Sequence, residues 1–160
     1  MFSPLRLVFF GTPEFAVPTL EALVAAGRRP LAVVTRPARP VGRGQALAQP
    51  PVARCAERHG LPLMQPERVK TDDFLAAMRA LEPDAFVVVA FGQIFPQALL
   101  DVPRLGSINV HASLLPRWRG ASPIQAALAA GDPVTGVTTM RMAAGLDTGP
   151  MLERAELPIG

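Results

Sequence analysis

The sequence predicts an α/β fold, a mostly parallel sheet with helices on both faces, and two observations carry that expectation. Apolar runs of strand length alternate with helical patterns along the chain, and the runs are continuously apolar, as strands covered on both sides must be. The chain has 160 residues, enough for one domain with a real core, and 49% hydrophobic with 18% charged residues is a globular balance.

"LRLVFF" (Leu5 to Phe10) reads as the first buried strand, and Phe15 to Ala26 as a helix that packs through Phe15, Leu20, Leu23 and Val24. "LAVVT" (Leu31 to Thr35) is the second strand. A Pro/Gly/Arg loop follows, then a helix from Pro51 to His59 and a short edge strand, "LPLM" (Leu61 to Met64), where Pro62 is tolerated. Thr71 caps the next helix, whose Phe74, Leu75, Met78 and Leu81 fall at core-facing spacing. "DAFVVVA" (Asp84 to Ala90) is the most apolar run and is read as the central strand. "SINVH" (Ser107 to His111), a helix from about Pro123 to Ala130, and "VTGVTTMRM" (Val134 to Met142) complete the series.

Composition narrows the function classes. Of the 16 basic residues only Lys70 is lysine; the net charge is +3, and arginine forks suit phosphates and carboxylates. The single cysteine, Cys55, excludes an internal disulfide, and with only His59 and His111 as histidines no structural zinc cluster is expected. The N-terminus lacks a basic segment ahead of a long apolar core, and no run reaches membrane-spanning length. A cytoplasmic setting with no membrane attachment is the expectation.

In parallel sheets ligands bind outside the carboxyl ends of the strands, and the polar residues of this chain fall there. Gly11 and Thr12 follow the first strand, Gly92 and Gln93 the strand from Asp84, and "GLDTG" (Gly145 to Gly149) makes a later loop. Asn109 and His111, two residues apart, face one side of their strand. Such a pair suits a transfer reaction: an Asn amide donates to an oxyanion, a His donates to it or moves a proton, and Asp147 would orient the imidazole and favour its cation. An Asn-x-His can equally close a strand as a satisfied terminus, and Asp147 can merely cap a turn.

Other chemistries fit less well. "GTPEFA" puts Pro13 and Ala16 where a dinucleotide fingerprint needs glycines, and Thr35 and Arg36 end the second strand without an acid for a ribose. Ser113, His111 and Asp147 are the residue types of a hydrolase triad, but there is no G-x-S-x-G elbow, and Ser113 reads better as a backbone cap. Trp118 reads as packing at a helix edge, with stacking on a base or ligand as the alternative.

"FFGTPEFAVPTLEAL", "RPVGRG", "VVVAFGQIFP", "INVHASLLPRWRGASPIQ" and "GLDTGPML", in this order from about Leu5 to Leu152, resemble the folate-dependent formyltransferases, and within them the tRNA-directed members. The resemblance implies a Rossmann-like catalytic domain over residues 1–160, incomplete at its C-terminal end, with the family's C-terminal tRNA-binding domain absent, acting as a monomer. It implies Asn109, His111 and Asp147 as catalytic positions. It implies a folate-binding segment at Ser113, Leu114, Leu115 and Pro116, with further contacts from Gly92, Gln93, Ile94 and Leu146. The formyl donor would be 10-formyltetrahydrofolate, the acceptor the α-amino group of initiator methionyl-tRNA, and no metal would take part.

Relatives on the same scaffold act on glycinamide ribonucleotide or a nucleotide-linked amino sugar, and a non-catalytic folate- or RNA-binding module is a third reading. The long connection "TRPARPVGRGQALAQPP" (Thr35 to Pro51) separates them, since in tRNA-directed members it enters the acceptor arm. Arg43 would then contact tRNA, supported by Arg36 and Arg39; read without the resemblance, the segment is a solvated flexible loop. The chain departs from the family at Gln45 and Ala46, where basic residues are usual, and at Ala143 and Ala144, where acids are often found.

Overall fold

The computed structural model describes residues 3–144 and 147–160. Seven strands form one sheet in the order β5-β2-β1-β6-β7-β8-β9, where β1 is Leu7–Gly11, β2 Ala32–Val34, β5 Leu63–Met64, β6 Ala85–Val89, β7 Ser107–His111, β8 Val134–Arg141 and β9 Met151–Pro158. The five strands from β5 to β7 run parallel. β8 and β9 are antiparallel additions at one edge. As the sequence predicts, the most apolar strand, β6, is fourth of the seven, and the short β5 is an edge.

Alternate residues of the central strands feed two cores. Val8, Phe10, Val34, Phe86 and Val88 point to one face, where α3 (Asp72–Ala80) supplies Phe74, Leu75 and Met78, and α4 (Gln97–Leu100) supplies Leu99 and Leu100. Phe10 lies at the centre of four rings, with centroids 4.8 to 6.3 Å from Phe86, Phe95, Phe91 and Phe74. Burying a side chain of this size contributes about 1.5–3 kcal/mol. Phe9, Val33 and Val89 point the other way, against Leu20 of α1 (Val17–Ala25) and Val52, Cys55 and Ala56 of α2 (Pro51–Arg58). Helices on both faces are what the continuously apolar strands required.

Local signals hold with small shifts. The Thr71 hydroxyl caps α3 by accepting from the Phe74 amide at 3.3 Å. The first helix starts as one tight turn, Glu14–Ala16, because the chain must leave β1 where Gly11 has no room for a side chain: a Cβ there would stand 2.9 Å from Ala16 Cβ. The helix near residue 123 is α5 (Pro123–Ala129).

Three features depart from the sequence reading. The Arg-rich connection is not an irregular loop but a two-stranded hairpin, β3 (Arg39–Val41) with β4 (Ala46–Ala48). Short α4 lay hidden between Pro96 and the polar turn after it. β9 pairs along nearly all of β8, yet every residue in it is exposed, so it lacks the buried face that makes a strand legible.

One joint between α1 and α2 is polar. Glu21 accepts from the Cys55 thiol at 3.3 Å and meets His59 Nε2 at 2.7 Å and Arg58 at 3.4 Å. The thiol and imidazole hold the Glu21 carboxyl below its usual range. Burial, then Glu21, pushes the Cys55 thiol up to about 11.

Candidate active site

The carboxyl ends of β1, β2 and β6 are tied together by Thr12. Its hydroxyl donates to the Phe91 carbonyl at 2.9 Å and accepts from the Arg36 amide at 3.4 Å, while its carbonyl accepts from the amide of Val52 at the start of α2. Register sets the depth of the crevice above these ends. Gly11 is level with Val89 and Asn109 with Val88, so His111 projects just past the parallel ladder.

Asn109 and His111 share one face of β7, as their spacing predicts. Asn109 is partly exposed and its carboxamide makes no hydrogen bond with the described residues. His111 is buried, with one ring nitrogen bonded and the other facing a carboxylate. Nε2 donates to the Trp118 carbonyl at 2.9 Å, and Nδ1 stands 3.6 Å from Asp147 Oδ1, an ion-pair distance too long for a direct hydrogen bond. The other Asp147 oxygen accepts from the Gly120 amide at 2.9 Å, so the buried carboxylate joins the histidine to the loop after β7.

That loop is clamped twice. Thr138, fully buried on β8, donates its hydroxyl to the Ser113 carbonyl at 2.7 Å and accepts from the Leu115 amide at 3.1 Å. Ser113 donates to the Arg117 carbonyl at 2.6 Å, which is the backbone-capping role read from the sequence. Further along, Asp132 takes both Arg117 nitrogens at 2.8 and 3.0 Å and the Trp118 indole N–H at 2.7 Å, with the guanidinium 4.4 Å from the ring centre. Arg117 and Trp118 together lower the Asp132 carboxyl to about 2. Trp118 therefore sits in a turn and not at a helix edge, its ring half-buried with the Arg117 guanidinium over it. Its backbone is left-handed, φ 60°, and presents its carbonyl to His111.

The segment Ser113 to Pro116, where folate contacts are expected, is divided by burial. Ser113 and Leu115 are interior, Leu114 rests on Gly136 of β8, and Pro116 is exposed. Opposite, Gly92 is exposed with φ 94° and Ile94 is 85% exposed, leaving bare backbone and apolar surface at the crevice. The Gln93 side chain turns away to brace residues 67–69, accepting from the Val69 amide at 3.0 Å and donating to the Glu67 carbonyl at 3.2 Å. Leu146 lies outside the described residues.

The three arginines separate. Arg39 and Arg43 are exposed on the hairpin, Arg43 in its turn, whereas Arg36 is half-buried over Gly92. Gln45 acts locally, closing the turn at φ 52° and donating from Nε2 to the Gly42 carbonyl at 2.9 Å. Sequence reasoning missed Asp132 and Thr138, which no motif marks, and the role of the Trp118 backbone. Glu21, Cys55 and His59 offer ligand atoms within 4.8 Å of one another, but they are already hydrogen-bonded at the α1–α2 joint.

Known proteins resemble this chain in sequence and in fold. The family model described as "Formyl transferase" matches residues 5–160. The methionyl-tRNA formyltransferase of Halorhodospira halophila is 64% identical over 154 residues, 96% of this chain and 49% of that protein. That of Pseudomonas syringae pv. tomato is 57% identical over 159 residues, 99% of this chain and 51% of that protein. The chain thus spans about half the length of the curated relatives it matches. The solved phosphoribosylglycinamide formyltransferase of Anaplasma phagocytophilum has the same fold, with a TM-score of 0.77 at 23% identity over 98% of this chain and 74% of that one. With the match running along nearly the whole sequence and the Asn-His pair at the strand ends, the chain belongs to the formyl transferase family.

Proposed function

We propose that this chain carries the chemistry of a methionyl-tRNA formyltransferase, moving the formyl group of 10-formyltetrahydrofolate to the α-amino group of methionine on initiator tRNA in the cytoplasm. The observation that carries the reading is the assembly of Asn109, His111 and Asp147 at one strand end, with the imidazole between a carboxylate and a backbone carbonyl.

The α-amine attacks the formyl carbon. Such amines titrate near pH ~8 in simple peptides, so neutral amine is present without a strong base. As the carbonyl becomes tetrahedral, the unengaged Asn109 amide donates to the oxyanion. The carbon–N10 bond then breaks, and the proton lost by the amine reaches the folate nitrogen with His111, oriented by Asp147, in the relay. For His111 to reach the oxyanion directly its ring must release the Trp118 carbonyl. The exposed Ile94 suits the flat edge of a pterin, facing the segment Ser113 to Pro116, with Leu146 as the remaining contact. Arg43, with Arg39, stands on an exposed hairpin suited to tRNA phosphates.

Formyl transfer to charged initiator tRNA, with glycinamide ribonucleotide as competing acceptor, tests the reading. Asn109→Ala and His111→Ala should each lower the rate by ~10²-fold or more with folate affinity kept. Wild-type turnover in either variant overturns the mechanism, and preference for the small amine overturns the acceptor.

A further inference from the structure

The guanidinium of Arg36 stands without a partner among the described residues. Among the described residues no side-chain hydrogen bond or ion pair reaches it, and its Nε is buried with nothing to donate to. A buried charged donor left unpaired is costly, so its persistence calls for a reason.

Its setting is rigid. The Arg36 amide donates to Thr12 Oγ1 at 3.4 Å, and its carbonyl accepts from Thr35 Oγ1 at 2.9 Å and Gln65 Nε2 at 3.1 Å. The side chain lies across the sheet ends onto Gly92, where an added Cβ would stand 3.2 Å from Nη1 and 3.3 Å from Cδ. Gly92 therefore keeps the position open for the arginine, and its φ of 94° independently favours glycine. Arg39 and Arg43, by contrast, project into solvent.

We propose that Arg36 and the Thr12–Gly92 floor beneath it form a phosphate site for the acceptor, receiving the 5′-phosphate of the nucleoside that carries the amino acid. Two arguments select this ligand, and the second rests on the function proposed above. A guanidinium fork matches a phosphate through two parallel bonds, which satisfies the stranded donor. Arg36 follows β2 and leads directly into the β3–β4 hairpin that carries Arg39 and Arg43, so it stands beside the segment proposed to meet the acceptor.

The test is calorimetric binding of adenosine 5′-phosphate and of adenosine to this chain. The phosphate should tighten binding by about tenfold or more. Arg36→Gln should abolish that preference, Arg36→Lys should restore part of it, and Gly92→Ala should lower it by displacing the guanidinium. Arg28→Gln, an equal charge change at the opposite strand ends, should leave it intact. Equal affinity for the two probes, or a preference that survives Arg36→Gln, overturns the site. So does loss of folate affinity in Arg36→Gln with the nucleotide preference kept, which would give the guanidinium to the donor's carboxylates. An Arg36-dependent preference in a protein that fails to formylate charged tRNA supports the site and overturns only the acceptor named above.

Discussion

The Trp118 carbonyl stands 2.9 Å from His111 Nε2, so the nitrogen that Asp147 does not face is held by a backbone seven residues further along. That backbone is left-handed at Trp118, a conformation with a cost for a bulky residue, and the indole bond to Asp132 helps to hold it. Asp132 is thus a positioning residue for His111. Asp132→Asn should lower kcat for formyl transfer by about tenfold to a hundredfold with KM for folate little changed, the size expected when a reacting group is slightly misplaced. Unchanged kcat, or a rise in folate KM alone, would remove Asp132 from the chain of positioning contacts.

The same carboxylate predicts an acid response. Its pKa in the folded chain, about 2, is below the ordinary aspartate value of 3.8, so the ionised clamp stabilises the fold above that value and the contribution is lost as pH falls toward 2. Trp118 is the single tryptophan and reports on the clamp directly. Its fluorescence should change with a midpoint near the lower value, and Asp132→Asn should remove that transition. A midpoint near the ordinary value would mean that Arg117 and Trp118 do not bind the ionised form.

Thr138 should matter for stability out of proportion to its size. Thr138→Val keeps the shape but strands the Ser113 carbonyl and the Leu115 amide, a loss of about 1–3 kcal/mol. Thr138→Ser should recover most of it. Denaturant melts measure both, and a silent Val variant would show that water replaces the hydroxyl.

On the proposed acceptor, Arg43→Ala should weaken use of charged tRNA and make its salt dependence shallower by a slope of about one for a duplex contact. Folate affinity should stay constant. The measurement is formyl transfer across a salt titration, and parental efficiency throughout would take the hairpin out of tRNA binding.

Much of this was readable in the residues for physical reasons. β1, β2 and β6 are buried on both faces and so are continuously apolar, and on β7 Asn109 and His111 inherit their common face from the period of a strand. β9 was not readable, because a strand with no buried face carries no pattern. The hairpin was hidden by its prolines and glycines, which mark a turn without marking the pairing of Arg39 with Ala48. Asp132 and Thr138 act through contacts 14 and 25 positions away, on Trp118 and Ser113, and no local spacing records such a contact.

β1 and β6 lie side by side although Arg6 and Asp84 at their entrances are 78 positions apart. During synthesis the Phe-rich β1 emerges long before its central neighbour and has only β2 nearby to pair with. Closing so long a loop is slow compared with forming the β8–β9 hairpin, which can zip as soon as its turn exists. The crevice, which needs β1, β6 and β7 in register, is therefore among the last features to form. Until then an apolar segment near the N-terminus stays open to self-association, and refolding yield at high protein concentration should be limited at that step.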